Sequence, residues 1–345
     1  MSADLATATV GQVVARPHAK RLVAWAADKP EVLVLSADLT ASCEADGFRQ
    51  AYPQRFVSLG VAEQNLIGFA AGLAREGFIP YLHTFGVFLT RRPFDQVAMS
   101  VGYPCLPVRL LGFLPGITTP GGVTHQATDD VALMRAIPNM TVLECGDATE
   151  VEQILDVCHP IPGPVYVRML RGEVIRLFDP SEPMVLGRAR VLRQGRQITV
   201  LTSGICTEEA LRALPLLEQH GISITHLHIS TLKPFADPQV AAAIAHAQIG
   251  VITLENHGII GGLGSAVAEV MAEMGAGKPL IRLGLRDTYA HGASKAYLME
   301  KYGLDAFALV KAVAQLTGRD LPIAREDLAA VRLEAVHSAT KAEAL

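Results

Sequence analysis

Two side chains stand where chemistry could be done, each at the mouth of a strand-to-helix connection. Glu63 follows Phe56-Val57-Ser58-Leu59-Gly60-Val61-Ala62 and precedes Gln64-Asn65 and a stretch rich in alanine and glycine. It falls at a strand end, on the first turn of the next helix, and the carboxyl ends of strands are where open α/β sheets bind ligands. A carboxyl group placed there can serve proton transfer; it can equally be an acid held by the positive end of the helix dipole. His125 closes a loop of glycine, proline and threonine over residues 112–124. A histidine titrates near neutral pH and is a ready acid–base group, and it is also an ordinary residue at a helix start.

The elements that must position these groups read as alternating strand and helix. Leu66, Phe69, Ala70 and Leu73 recur at helical spacing and predict one buried stripe, with Gly68, Ala70, Ala71 and Gly72 allowing close packing and Gly77 as the C-terminal cap. Further strands are expected over 31–36, 79–82, 107–111, 140–144 and 165–169, with helices over 21–27, 94–101, 131–136 and 148–157. A proline-bearing linker at 178–184 separates a second round: strands at 198–202, 222–229 and 250–254, helices at 208–217 and 239–246, and a helix ending near Met274. The fold class is α/β: two doubly wound domains with mostly parallel sheets, at 1–180 and 188–320, then a helical tail at 321–345. Asp38 and Thr40, just past the strand at 31–36, suit a turn or an N-cap as well as a site. Gly262-Leu263-Gly264 reads as close helix–strand packing rather than a dinucleotide loop.

Gly60-Val61-Ala62-Glu63-Gln64-Asn65, the Ala/Gly-rich helix, the pair Phe85 and Phe88, and Asp95-Gln96 together resemble the pyrimidine-binding domain of transketolases. The resemblance continues through Gly122-Val123-Thr124-His125-Gln126, and through Lys233-Pro234 and the Gly-Gly-x-Gly run of the second half. It implies thiamine diphosphate as cofactor. Glu63 would bond N1′ of the aminopyrimidine, Phe85 and Phe88 would pack on that ring, and Asp38 would lie near it. His125 would bind substrate oxygens and assist proton transfer, while Ser42, Arg171 and Arg16 would hold a substrate phosphate. In this pairing Gly121 replaces an aspartate that reads a donor hydroxyl, and Phe113 replaces a histidine that contacts donor oxygens and phosphate. A donor other than ordinary xylulose 5-phosphate, branched, deoxy or otherwise modified, is therefore expected.

Full-length members of that family hold the diphosphate and Mg²⁺ with a Gly-Asp-Gly segment and a later asparagine. This chain has no Gly-Asp-Gly, and Gly146-Asp147 leads into Ala148 and a helix. No metal ligands are predicted in it. The resemblance thus implies the C-terminal subunit of a split transketolase, completed by an N-terminal subunit with the diphosphate-binding domain, in an α2β2 heterotetramer acting on sugars or sugar phosphates. A β-type subunit of a 2-oxoacid dehydrogenase, a relative of 1-deoxyxylulose-phosphate synthase, and a non-catalytic regulatory or scaffold homologue are the alternatives.

Composition narrows the partners. At 345 residues, 50% hydrophobic and 19% charged, the chain can bury two cores, and its net charge of −4 offers no basic footprint for nucleic acid. Arg91-Arg92 is the densest basic pair near the motifs. Five scattered cysteines without a Cys-x-x-Cys pair fit a reducing compartment. The first residues lack the pattern of a signal peptide, and no apolar run reaches membrane-span length, so a cytoplasmic location is expected.

Overall fold

The computed structural model describes residues 11–331. The first ten residues and most of the expected tail lie outside them; the helix Arg325–Ala330 is the described part of that tail.

A seven-stranded sheet carries the first half. Its order is Thr231–Lys233, Thr141–Glu144, Val165–Met169, Arg109–Phe113, Ile79–Phe85, Val32–Ser36 and Phe56–Ser58. All neighbours are parallel except the first pair. From Val32–Ser36 the chain steps outward to Phe56–Ser58, then returns to the other side as Ile79–Phe85. That reversal opens a crevice beyond the carboxyl ends of these strands. The second half forms a five-stranded sheet of order Leu280–Leu285, Gly250–Gly258, Ile198–Thr202, Ile224–His228 and Arg190–Arg193, with only the last strand antiparallel. Val13–Ala15 pairs antiparallel with Glu173–Ile175 as a separate ribbon.

Several expected elements shift. The helix predicted from residue 21 begins at Pro17, whose fixed φ and missing N–H suit a first helical position, and runs to Trp25. The helix Glu63–Arg75 ends in a Schellman arrangement, with Phe78 N–H on the Leu73 carbonyl and Gly77, at φ 91°, on Ala74. Its buried stripe is Glu63, Leu66, Ile67, Ala70, Ala71 and Ala74, while Phe69 is 41% exposed. The small alanines face the sheet, and the predicted roles of Phe69, Gly68 and Gly72 in packing do not hold: both glycines look into open space. The helix expected at 94–101 continues from Phe94–Gln96 into a π-helix at Val97–Gly102. The strand Leu280–Leu285 and the helices Lys295–Tyr302 and Ala306–Thr317 are additional to the predicted set.

The halves are not segregated at the linker. Thr231–Lys233, from the second half, hydrogen-bonds as the edge strand of the first sheet. At the same junction Arg168, fully buried, donates to Asp130 at 2.8 Å, Glu144 at 2.6 Å and the carbonyls of Ala127 and Asn256 at 3.0 Å. Glu255 accepts the N–H groups of Leu263 and Gly264 at 2.6 and 2.8 Å, and a Cβ at Gly262 would lie 2.0 Å from its carboxylate. The glycine run is packing filled by the chain's own acid, as expected.

Two buried imidazoles sit on the inner face of the first sheet. Nε2 of His18 is 2.9 Å from Nε2 of His83, whose Nδ1 meets the Tyr81 carbonyl at 3.2 Å. A carbonyl only accepts, so His83 Nδ1 carries the proton and its Nε2 accepts from His18. Desolvation pushes His83 down to about 4 and His18 well below its ordinary value, the latter helped by repulsion from its neighbour. Because the folded pKa is depressed, the unfolded chain takes up more protons below about 6.5, and stability falls as pH drops from there toward 4. His83 alone accounts for a loss on the order of 3 kcal/mol across that window. His83→Gln is expected to flatten the acid side of the stability–pH curve in denaturant titrations; an unchanged slope would show that His83 is not buried neutral.

Candidate active site

Glu63 enters the site because it is the first residue of a helix that starts at the open end of the sheet, directly after the N-cap Ala62. It is 4% exposed, and its Oε1 accepts from Arg92 Nη1 at 2.8 Å. Arg92 is about half exposed and also lies over Phe88, 4.2 Å from the ring centroid. The contribution of Arg92 was not foreseen: its distance of 29 residues from Glu63 hides the pairing.

The strand Ile79–Phe85 runs three residues beyond its predicted end and breaks at Gly86. A Cβ there would stand 3.0 Å from the Tyr166 hydroxyl and 3.2 Å from Ala127 Cβ, so a larger residue would have to push those side chains aside where the chain turns against the sheet. The short helix Gly86–Thr90 that follows carries Phe88 back beside Phe85, with the rings stacked at 5.8 Å. His125 closes over both, with ring centroids 6.1 Å from Phe85 and 5.4 Å from Phe88. It sits in a turn rather than at the helix start, and its Nδ1 is 2.9 Å from the Thr124 hydroxyl. Arg171 places its guanidinium 5.7 Å from the Phe85 centroid and donates to the Ser42 carbonyl at 3.3 Å. Glu63, Phe85, Phe88, His125, Arg171 and Ser42 are thus linked by contact.

Arg16 belongs to the rim. Its amide bonds the Gly172 carbonyl at 2.7 Å, and its guanidinium pairs with Asp46. Asp38, exposed and left-handed at φ 62°, lies just past Val32–Ser36, and Ser36 is in register with His83 two residues before Phe85. Phe113 is fully buried against His18 and His83, at centroid distances of 5.6 and 5.9 Å. A Cβ on Gly121 would come within 3.1 Å of the His125 ring, so an aspartate there would displace that histidine as well as add a carboxylate.

The second half holds the His125 loop in place. Asn256 accepts from Ile117 N–H at 2.9 Å and donates to the Pro115 carbonyl at 3.0 Å, and Gln126 donates to the His291 carbonyl at 3.3 Å. A buried carboxylate beside a stacked aromatic pair and an imidazole fits an aminopyrimidine ring: apolar faces for the ring, and one acid for its ring nitrogen. Among the described residues no group of three His, Cys, Asp or Glu side chains could hold a metal ion.

Comparison with known proteins agrees with this architecture. Residues 17–175 match the family described as transketolase, pyrimidine binding domain, and residues 187–309 match transketolase, C-terminal domain. A 6-deoxy-6-sulfo-D-fructose transketolase subunit, SqwH, of Clostridium sp. (strain MSTE9) is 40% identical over 86% of this chain and 92% of its own length. A Methanocaldococcus jannaschii protein named as a transketolase C-terminal section is 37% identical over 82% and 90%. A 1-deoxy-D-xylulose-5-phosphate synthase of Caldanaerobacter subterraneus is 31% identical, and only 47% of its length is matched. Among solved structures, a split-gene transketolase described as an inactive β4 tetramer superposes with a TM-score of 0.79 at 38% identity, covering 88% of this chain and 97% of that one. The chain belongs to the transketolase family, with the pyrimidine-binding domain followed by the C-terminal domain, as in its split-subunit relatives.

Proposed function

We propose that this chain is the pyrimidine-binding subunit of a thiamine-diphosphate-dependent ketol transferase that works only when joined to an N-terminal subunit. The observation that carries the reading is Glu63, buried and within one contact network with Phe85, Phe88 and His125. Bound there, the cofactor would supply a nucleophilic thiazolium carbon and an electron sink. Glu63 would hold the proton at N1′, and Phe85 and Phe88 would keep water off the ring, with Asp38 at its edge. His125 would bond the donor's oxygens and take or return a proton at its hydroxyl. Arg171, Ser42 and Arg16 would hold an anionic group at the far end of the substrate.

The diphosphate and Mg²⁺ fall to the partner, because the Gly-Asp-Gly segment is missing and Gly146-Asp147 is spent on a helix cap, with Asp147 accepting the Glu150 N–H at 2.8 Å. The proposed assembly is an α2β2 heterotetramer, and the unpaired cysteines suit a reducing compartment such as the cytoplasm. The donor is a ketose bearing an anionic end; the Clostridium relative's name supplies one example, a 6-deoxy-6-sulfofructose. Ordinary xylulose 5-phosphate is the poorer donor, since Gly121 and Phe113 remove two polar contacts.

Calorimetry with thiamine diphosphate and Mg²⁺ on each subunit and on the mixture tests the split site. Weak binding by this chain alone, tight binding by the mixture, and ketol transfer only by the mixture are expected. Tight binding by the isolated chain would sink the split-site reading.

A further inference from the structure

One arginine engages both of the groups that single out this site. Arg92 Nη1 donates to Glu63 Oε1 at 2.8 Å, the only side-chain hydrogen bond to that carboxylate among the described residues. The same guanidinium lies over the half-buried Phe88, 4.2 Å from the ring centroid. Glu63 and Phe88 are therefore joined through Arg92, while Phe85 and His125 make the other aromatic contacts of Phe88. A guanidinium is a flat cation with N–H groups along its edge, suited to lie on an aromatic ring while bonding a carboxylate. An aminopyrimidine is flat in the same way and makes the same two demands, a carboxyl group at its edge and an apolar surface against its face.

We infer that Arg92 is a built-in stand-in for the cofactor ring, and that its side chain must swing out before the ring can enter. This deepens the reading of Glu63 and Phe88 as the aminopyrimidine site and rests on it. The surroundings suit a mobile side chain on a fixed backbone. Gln64 Nε2 donates to the Arg92 carbonyl at 3.2 Å, which ties the main chain at 92 to the helix of Glu63. Arg91 Nε donates to both Asp129 oxygens at 3.0 Å, and Pro93 follows with its φ fixed by its own ring. The Arg92 side chain, in contrast, is 49% exposed. An outward turn gives its charge to water and gives up one charge-assisted hydrogen bond and one cation–π contact. Glu63 is buried and stays in place to meet the ring. Affinity falls in proportion to the fraction of molecules whose site stands open. A closed form favoured about tenfold, the scale of those two contacts, weakens cofactor binding about tenfold. The isolated chain then resists the ring, and the partner's hold on the diphosphate supplies what turns Arg92 out.

Calorimetry with thiamine diphosphate and Mg²⁺ on the chain assembled with its partner subunit tests this. Arg92→Met keeps an apolar stem beside Phe88 but frees Glu63, and should bind about tenfold more tightly than the wild type. Arg92→Lys keeps a cation without the plane and should fall between the two. As the milder change, it also covers a failure of Arg92→Met to fold. A crystal structure of the loaded wild type should show Arg92 turned away from Glu63 Oε1. Affinity unchanged or weakened in the folded variants, or Arg92 still on Glu63 with the ring bound, overturns the inference and leaves the cofactor site standing. Thiamine diphosphate bound by neither the wild-type nor the Arg92→Met assembly would instead bring down the cofactor site itself, and the latch with it.

Discussion

Replacing Glu63 by glutamine is expected to lower kcat of the assembled enzyme by roughly 10²–10⁴-fold, the usual cost of losing a proton-transfer group. Glutamine keeps the length and volume of the side chain but cannot exchange a proton with a ring nitrogen. The fold should survive. Glu63 meets Arg92 at 2.8 Å, and that arginine is half exposed, so water takes over its solvation when the carboxylate goes. The helix Glu63–Arg75 keeps its contacts through Leu66, Ile67 and Ala70. Steady-state kinetics beside a thermal melt separates the two effects. Near-normal turnover with an unchanged melting temperature would remove Glu63 from the chemistry.

The largest stability effect should come from Arg168→Met. Arg168 is fully buried, as are its partners Asp130 and Glu144. Desolvation opposes its charge, but the two carboxylates win and its pKa rises. Removing the guanidinium leaves both acids inside the protein without a counterion, and also strips the carbonyls of Ala127 and Asn256 of a donor. Breaking one partner out of such a buried arrangement costs about 3–5 kcal/mol. Because Asn256 also bonds Pro115 and Ile117, the loss should reach the loop that carries His125. Denaturant unfolding measures the first effect, and hydrogen exchange at 115–126 measures the second. A change under about 1 kcal/mol would mean that water enters and solvates the pair, contrary to the burial described.

Local pattern was enough for much of the molecule. Alternating apolar runs and amphipathic stretches announce parallel strands and their helices, because side-chain period follows directly from backbone geometry. Gly77 after a helix and Asp147 before one are legible for the same reason: their backbone conformations and caps involve neighbours in sequence. The stretch 60–65, the Phe85 and Phe88 pair and 122–126 are assigned to one site in the sequence only through their resemblance to transketolase motifs. Their convergence is visible only in the fold, where Phe88 and His125 meet across 37 residues of chain.

What tertiary structure decided is everything set by distance through space. A helix with apolar residues on several faces does not announce which one meets the sheet, so Phe69 stayed outside while Ala71 and Ala74 went in. The strand Thr231–Lys233 joins the other half's sheet because an edge there offers free backbone groups, a demand made by the assembled sheet and not by those three residues. Arg92 beside Glu63, Asp46 on Arg16, and Asn256 holding the His125 loop are long-range electrostatic and hydrogen-bond matches. A charged side chain in sequence says that a partner is needed when it is buried; only the fold says which one it has.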